Sequence, residues 1–330
     1  MGDIFGKISR RYFLGGAVSL AALAGLPPLA YGQMDGWNLQ FPDLSSGPIK
    51  RKIPATGEEI NAIGMGTWVT FNIGDDPLLL EHCRLVMRAF FAAGGGMIDS
   101  SPMYGTSEAV IGRILQQLEK TEPLFAATKV WTDMPSYKIW QGAKKRGILQ
   151  MEKSRKLWGI PKFDLMQVHN LADWETQLET LFADKEAGKI RYVGVTTSHG
   201  LRHEAIAHVM KTQPIDFVQF TYNIVDRAAE KLLLPLAAER GIAVIANMPF
   251  RHKQLFDLYG QQPLPEWAGE IDCYNWAQFF LKFIINHPHV TCAIPATRKV
   301  GHMLENVQAM YGRQPDQKMR ARMAAYVANL

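Results

Sequence analysis

Asp99, Tyr104, Lys129 and His169 have the side chains needed to move a proton to or from a carbonyl oxygen. A tyrosine phenol has an unperturbed pKa of about 10 and gives up its proton reluctantly. A lysine ammonium beside it stabilises the phenolate, lowers that pKa and makes Tyr104 an acid in one direction and a base in the other. Asp99 can pair with Lys129, fixing its position and keeping it charged in a partly dry pocket. His169 can donate a hydrogen bond to a carbonyl or relay a proton. The set suits carbonyl reduction, in which hydride reaches carbon while a proton reaches oxygen. Singly, each has a plainer use: Asp99 as a helix cap, Lys129 as its ion-pair partner, His169 as a satisfied core histidine.

These residues need elements that bring them together. In "MIDSSPMYGTSEAVIGRIL" an apolar run ends at Asp99, a polar turn follows at Tyr104-Gly105, and the pattern predicts a helix from near Ser107. Lys129 closes "LFAATKVW" and His169 closes "FDLMQVHN". Strand-length apolar runs end near Met65, Asp99, Lys129, His169, Thr196, Thr221, Ala246 and Pro295. Between them lie helical patterns such as "DPLLLEHCRLVMRAFFAAGG", "DWETQLETLFADKEAGK" and "DRAAEKLLLPLAAERG", opening on Asp and closing on Gly as caps. Eightfold alternation predicts a parallel (β/α)8 barrel, which keeps its chemistry at the strand C-termini. Trp68 and Trp131 are expected to wall the pocket. The irregular stretch from Asn247 to Ile271 is expected to contribute aromatics that line or cover it.

The ordered Asp-x-x-x-x-Tyr, Lys and His set resembles the tetrad of the aldo-keto reductases, and the similarity runs from about Lys50 to the C-terminus. "IPATGEEINAIGMGTW" resembles that family's hairpin cap, with a turn at Thr56-Gly57, followed by the first barrel strand. "IPATRKVGHMLENVQA" resembles its adenosine-phosphate segment. The resemblance implies an α/β TIM barrel with an N-terminal β-hairpin cap and C-terminal helices over 50–330. It also implies reversible NADP(H)-dependent reduction of aldehydes or ketones, with Tyr104 as general acid and NAD(H) the lesser cofactor. Carried over residue by residue, it puts Gly66, Thr67 and Trp68 on the cofactor side of the first strand. The nicotinamide carboxamide falls against Thr196, Thr197 and Gln219, with Asn247 and Pro249 following the seventh strand. Pro295, Thr297, Arg298, Lys299 and His302 fall at the 2′-phosphate, and Glu305 and Asn306 at the adenine. Two positions depart from the family: Thr196-Thr197 replace Ser-Asn, and Asn247 replaces the aromatic that stacks on the nicotinamide.

The first 32 residues carry a separate signal. Arg10-Arg11 precede a 15-residue apolar run from Tyr12 to Leu26 that includes Phe13-Leu14, and a small-residue site follows at Ala30-Tyr31-Gly32. This resembles a twin-arginine (Tat) export signal, implying the Tat translocase as a partner and a bacterial periplasmic destination, with 33–49 as a linker. The run is shorter than the roughly 20 residues that span a bilayer, and Pro27-Pro28 stops it. The net charge of +5 falls to +3 without Asp3, Lys7, Arg10 and Arg11, and no basic run interleaved with aromatics suggests nucleic acid. Cys83, Cys273 and Cys292 sit in apolar stretches without Cys-x-x-Cys spacing and read as buried thiols. His199 and His203, four apart, read as surface histidines rather than a zinc pair. Two other functions fit less of the chain. One is a nicotinamide-binding barrel used for sensing or regulation. The other, a metal-dependent hydrolase using His169 and Asp99, lacks a His-x-His pair on a first strand.

Overall fold

Every apolar run becomes a strand that ends within two residues of its expected position. The parallel strands are β3 (Met65–Gly66), β4 (Met97–Asp99), β5 (Phe125–Val130), β6 (Phe163–Val168), β7 (Ile190–Thr196), β8 (Phe217–Thr221), β9 (Ala243–Asn247) and β10 (Cys292–Ala293). The computed structural model describes residues 47–119, 121, 123–132 and 142–330. The sheet runs in chain order from β3 to β10, and parallel bridges Ile63–Ala293 and Gly66–Ala296 close it on itself. Closure explains Gly66, where a Cβ would lie 2.7 Å from the Ile294 carbonyl oxygen. The fold is a (β/α)8 barrel, and its connecting helices lie outside.

Alternation along the strands sorts the barrel interior into layers. Met97, Phe125, Leu165, Tyr192, Phe217, Ala243 and Cys292 form an apolar lower layer with Ala127, Ile245 and Ile294. Phe125, Tyr192 and Phe217 pack with ring centroids 5.4–6.0 Å apart, which adds about 0.5–1.5 kcal/mol per pair beyond area burial. The antiparallel hairpin β1 (Lys50–Lys52) and β2 (Glu59–Asn61) plugs this end with Ile53 and Ile60, turning through Gly57 at φ +77°. Tyr192 donates to Glu58 on the hairpin, latching it to β7. One step further along the same strands the inward residues become polar: Asp99, Lys129, Gln167 and Gln219. The apolar plug below thus seals the charged layer from water on that side.

The helices follow their patterns with local corrections. α1 (Pro77–Ala92) is capped by Asp76, whose carboxylate accepts the Leu78 and Leu79 amides, and Pro77 takes the first turn. α2 (Ser107–Leu115) and α3 (Ala143–Trp158) are pinned to β5 by buried Glu108, which accepts bonds from Thr128, Ser154 and Trp158. Asp173, expected to cap α4 (Trp174–Glu186), instead accepts from Thr132 and adopts φ +50°. The run from Asp226 begins with a 3-10 turn, Ala228–Lys231, before α6 (Leu233–Arg240); Asp226 pairs with Asn223 and Arg251 rather than capping. α5 (His203–Thr212) lies between α4 and α6 in the chain. The stretch after β9 folds as α7 (Gln254–Tyr259) and a 3-10 segment, Glu266–Ile271. α8 (Trp276–Ile285) is buried throughout, and α9 (Val300–Gln308) and α10 (Gln317–Ala328) complete the expected C-terminal helices. Buried Arg320 ties α10 to the body by donating to the Phe283 carbonyl and the Tyr222 hydroxyl. Cys83, Cys273 and Cys292 are free and buried. Residues 1–32 and most of the 33–49 linker lie outside the described residues.

Candidate active site

At the C-terminal mouth of the barrel, Asp99, Tyr104 and His169 line one cavity of about 710 Å³, with Lys129 beneath them. Lys129 is 1% exposed and donates to Asp99 Oδ2 at 2.5 Å and to the Ser100 carbonyl at 2.8 Å. The other Asp99 oxygen, Oδ1, accepts amide bonds from Gln167 at 3.0 Å and Gln219 at 3.1 Å. Both oxygens are thus satisfied in a layer closed to solvent, as a buried carboxylate requires. Lys129 also sits beside Tyr104, with its Nζ 5.2 Å from that ring's centre. The three groups run in series from the barrel interior to the cavity.

A tight turn presents Tyr104. The Tyr104 amide donates to the Ser101 carbonyl, Pro102 occupies the second turn position, and Gly105 follows at φ +61°. His169 leaves the end of β6 into a left-handed stretch, with Asn170 at φ 54° and Leu171 at φ 57°. The Asn170 amide donates to Thr196 Oγ1 at 3.1 Å, holding that stretch against β7. The Tyr104 and His169 rings meet edge to face with centroids 5.8 Å apart. Two polar groups of different protonation behaviour therefore face the same space.

Burial pushes the Tyr104 phenol upward, and the neighbouring Lys129 ammonium only partly offsets this. The lowered phenol expected from residue types alone is thus reversed, because dehydration outweighs the cation. The phenol holds its proton at neutral pH, and the ammonium supports the phenolate left when it departs. Lys129 loses stability as a cation through burial, but Asp99 and then Tyr104 more than compensate, and it stays charged. Burial, with Lys129 nearby, pulls His169 down to about 3, leaving a neutral imidazole at neutral pH. The arrangement can supply a proton through a phenol and a neutral hydrogen-bond donor to the same oxygen.

Of the residues assigned to a cofactor, the structure brings Gly66, Thr67, Trp68, Thr196, Thr197, Gln219, Asn247 and Pro249 to the cavity wall. Several already have internal partners. Thr67 donates to the Asp99 carbonyl, and Gln219 takes part in the Asp99 network. The Asn247 amide donates to the Thr197 carbonyl at 2.8 Å, and its oxygen accepts from Thr221. Pro295, Thr297, Arg298, Lys299, His302, Glu305 and Asn306 are absent from the wall. They continue along the loop and α9 from Ile294 and Ala296, which line it. There Arg298 and Lys299 are exposed, Thr297 Oγ1 accepts the Lys299 amide, and burial pushes Glu305 up to about 7. Asn306 is buried.

Trp68 lies over the cavity, with its ring 4.5 Å from His252, whereas Trp131 is absent from the wall. The aromatics after β9 also mostly turn away. Phe250 touches the cavity, but Phe256, Tyr259 and Trp267 pack on Trp276, Phe279 and Phe280 of α8. His199 is exposed, as a surface histidine should be, and stands at the rim of the cavity facing His252 across 3.2 Å. Gln167 and Ser101 escaped the sequence reading. Each lies two residues from a candidate, Gln167 before His169 and Ser101 after Asp99, and strand alternation could have placed them facing inward.

A parallel barrel with a titratable cluster at its C-terminal mouth has the architecture of a barrel enzyme. The chain belongs to the Aldo/keto reductase family, whose model matches residues 62–326. It is 29% identical over 203 residues to Aldo-keto reductase YhdN of Bacillus subtilis, covering 58% of this chain and 59% of that protein's length. Over 228 residues it is 27% identical to the NADH-specific methylglyoxal reductase of Escherichia coli, covering 60% of this chain and 67% of that one. Among solved structures, it superposes on an aldo/keto reductase from Klebsiella pneumoniae in complex with NADP and acetate. The TM-score is 0.68 at 22% identity, covering 82% of this chain and 93% of the other.

Proposed function

We propose that this chain reversibly reduces aldehydes or ketones to alcohols with NADP(H), using Tyr104 as general acid. The observation that carries the reading is the buried Asp99–Lys129 ion pair set beside Tyr104, which opens into a cavity next to a neutral His169. Tyr104 delivers its proton to the carbonyl oxygen while His169 donates a hydrogen bond to it. Lys129 stabilises the developing phenolate, and Asp99 holds Lys129 with the help of Gln167 and Gln219. In the oxidative direction the phenolate takes the alcohol proton back.

The residues present fit a nicotinamide nucleotide. Thr70 lines the cavity, and its buried hydroxyl has no hydrogen-bond partner among the described residues. Arg298 and Lys299 offer cations beyond the cavity. When bound, the nucleotide supplies the hydride. Thr197, Gln219 and Asn247 would hold its carboxamide end, and Thr297, Arg298, Lys299 and His302 its phosphate end. Steady-state turnover with NADPH and a panel of aldehydes and ketones tests the function. A second reading, nucleotide binding with little turnover, is favoured by Asn247, whose small side chain provides no stacking face. Tight NADPH binding without reduction of any carbonyl would select it.

Arg matches the geometry of a phosphate monoester better than Lys, so NADPH should bind more tightly than NADH. A charge-assisted hydrogen bond contributes about 1.5–3 kcal/mol, and Arg298→Ala should weaken NADPH by roughly 10- to 100-fold while barely changing NADH. Titration of nicotinamide fluorescence with both nucleotides checks this. The Escherichia coli relative's NADH specificity sets the opposite expectation, and equal wild-type affinities would remove Arg298 from phosphate recognition.

For the N-terminal segment we propose Tat-dependent export to a bacterial periplasm, after the protein has folded with its cofactor. The support is "SRRYFL" followed by the apolar run and the small-residue end at Gly32. Arg10→Lys with Arg11→Lys should leave folded protein in the cytoplasm with residues 1–32 attached. Fractionation showing export equal to wild type would overturn the assignment.

A further inference from the structure

We infer that Ser101 is a positioning residue that sets which nitrogen of His169 carries the proton. Its hydroxyl donates to Nδ1, so Nε2 is left as the N–H that meets the carbonyl oxygen. The inference rests on the carbonyl-reductase reading for its kinetic consequence, though not for its structural content. Ser101 Oγ lies 2.8 Å from His169 Nδ1, and the two residues are 1% and 6% exposed. A neutral imidazole has one donor and one acceptor nitrogen, and the partner of one decides the role of the other.

The hydroxyl's surroundings decide the direction of this bond. Ser101 Oγ accepts the Met103 amide at 3.2 Å, so one of its lone pairs is already used. If Nδ1 carried the proton and donated to Oγ, the hydroxyl hydrogen would need an acceptor of its own. Among the described residues Ser101 Oγ has no bond besides those to Met103 and His169. A buried hydroxyl proton would then be stranded, at the cost of desolvating an unpaired polar group. With Nδ1 as acceptor every group is satisfied. The low basicity that burial gives His169 keeps the ring neutral, so the choice between tautomers persists at working pH.

Ser101 also joins the two proton-handling groups. Its carbonyl accepts the Tyr104 amide at 2.9 Å, closing the turn that presents the phenol, while its side chain orients the imidazole. Pro102 and Met103 complete that turn, and Met103 supplies the amide that directs the hydroxyl. Five residues of chain, Ser100 to Tyr104, therefore contact Lys129 and His169 and carry the phenol itself.

The test uses full-length protein labelled with 15N at histidine, with His169→Gln identifying the His169 signals. Long-range 15N–1H spectra of the wild type should show a protonated Nε2 and an unprotonated Nδ1. Ser101→Ala should convert this to a mixture of tautomers, lower kcat roughly tenfold by loss of about one hydrogen bond's bias, and leave KM within about twofold. Ser101→Thr, which restores a hydroxyl, should recover both the spectrum and kcat. A wild-type spectrum with Nδ1 protonated would overturn the inference without any variant. So would Ser101→Ala with the Nε2–H signature unchanged, whatever its rate, since the serine would then be structural only. If wild type reduces no carbonyl, the functional reading fails while the spectra still decide the role of Ser101.

Discussion

Tyr104→Phe should leave the barrel folded and the nucleotide bound while lowering carbonyl reduction at least about 100-fold, the usual loss for a positioned general acid. The substitution keeps the ring that meets His169 edge to face and deletes only the phenol oxygen of the ring beside Lys129. The expected defect is therefore in kcat, with NADPH affinity close to wild type. Fluorescence titration and steady-state kinetics on one preparation separate the two effects. Wild-type turnover with several aldehydes would show that another group delivers the proton.

Lys129→Met should be as damaging to the rate and, unlike Tyr104→Phe, damaging to stability. Lys129 is a fully buried cation that donates to Asp99 and the Ser100 carbonyl and lies beside the Tyr104 ring. Methionine fills similar length but leaves the Asp99 carboxylate in a closed layer with only the Gln167 and Gln219 amides at its other oxygen. Removing one partner of a buried pair costs about 3–5 kcal/mol, because the remaining charge is uncompensated. The phenol meanwhile keeps the upward push of burial and loses the cation that opposes it. Urea unfolding should show the stability loss, and kcat should fall at least about 100-fold. A variant as stable as wild type would mean that Asp99 does not depend on Lys129.

The ends of the strands were legible where an apolar run closes on a polar residue, as at Asp99, Thr196 and Asn247. The tetrad could be read from residue type and strand-end position together. Parity along the strands carried more information than was used: Gln167 shares its face with Leu165 and His169, and Ser101 continues the inward side from Asp99. Hydrogen-bond partners were harder to infer, since Asp173 resembles a helix cap until Thr132 comes from another strand end to occupy it. The aromatics after β9 were misplaced for a similar reason. Phe256, Tyr259 and Trp267 form apolar surface that α8 buries more favourably than the cavity does, and α8's packing is invisible in the local pattern of 247–271. The reversal at Tyr104 has a different origin, because residue types reveal the neighbouring cation but not the depth of burial.

Tracing the hydride tests the central claim most directly. NADPH carrying deuterium at the transferable C4 position, incubated with wild-type protein and an aldehyde that it reduces, should yield alcohol with one deuterium on the former carbonyl carbon. That product should form in equal amount to NADP and at least about 100-fold more slowly with Tyr104→Phe. Alcohol lacking the label, or labelled product formed equally fast by both proteins, would contradict hydride transfer coupled to protonation by Tyr104.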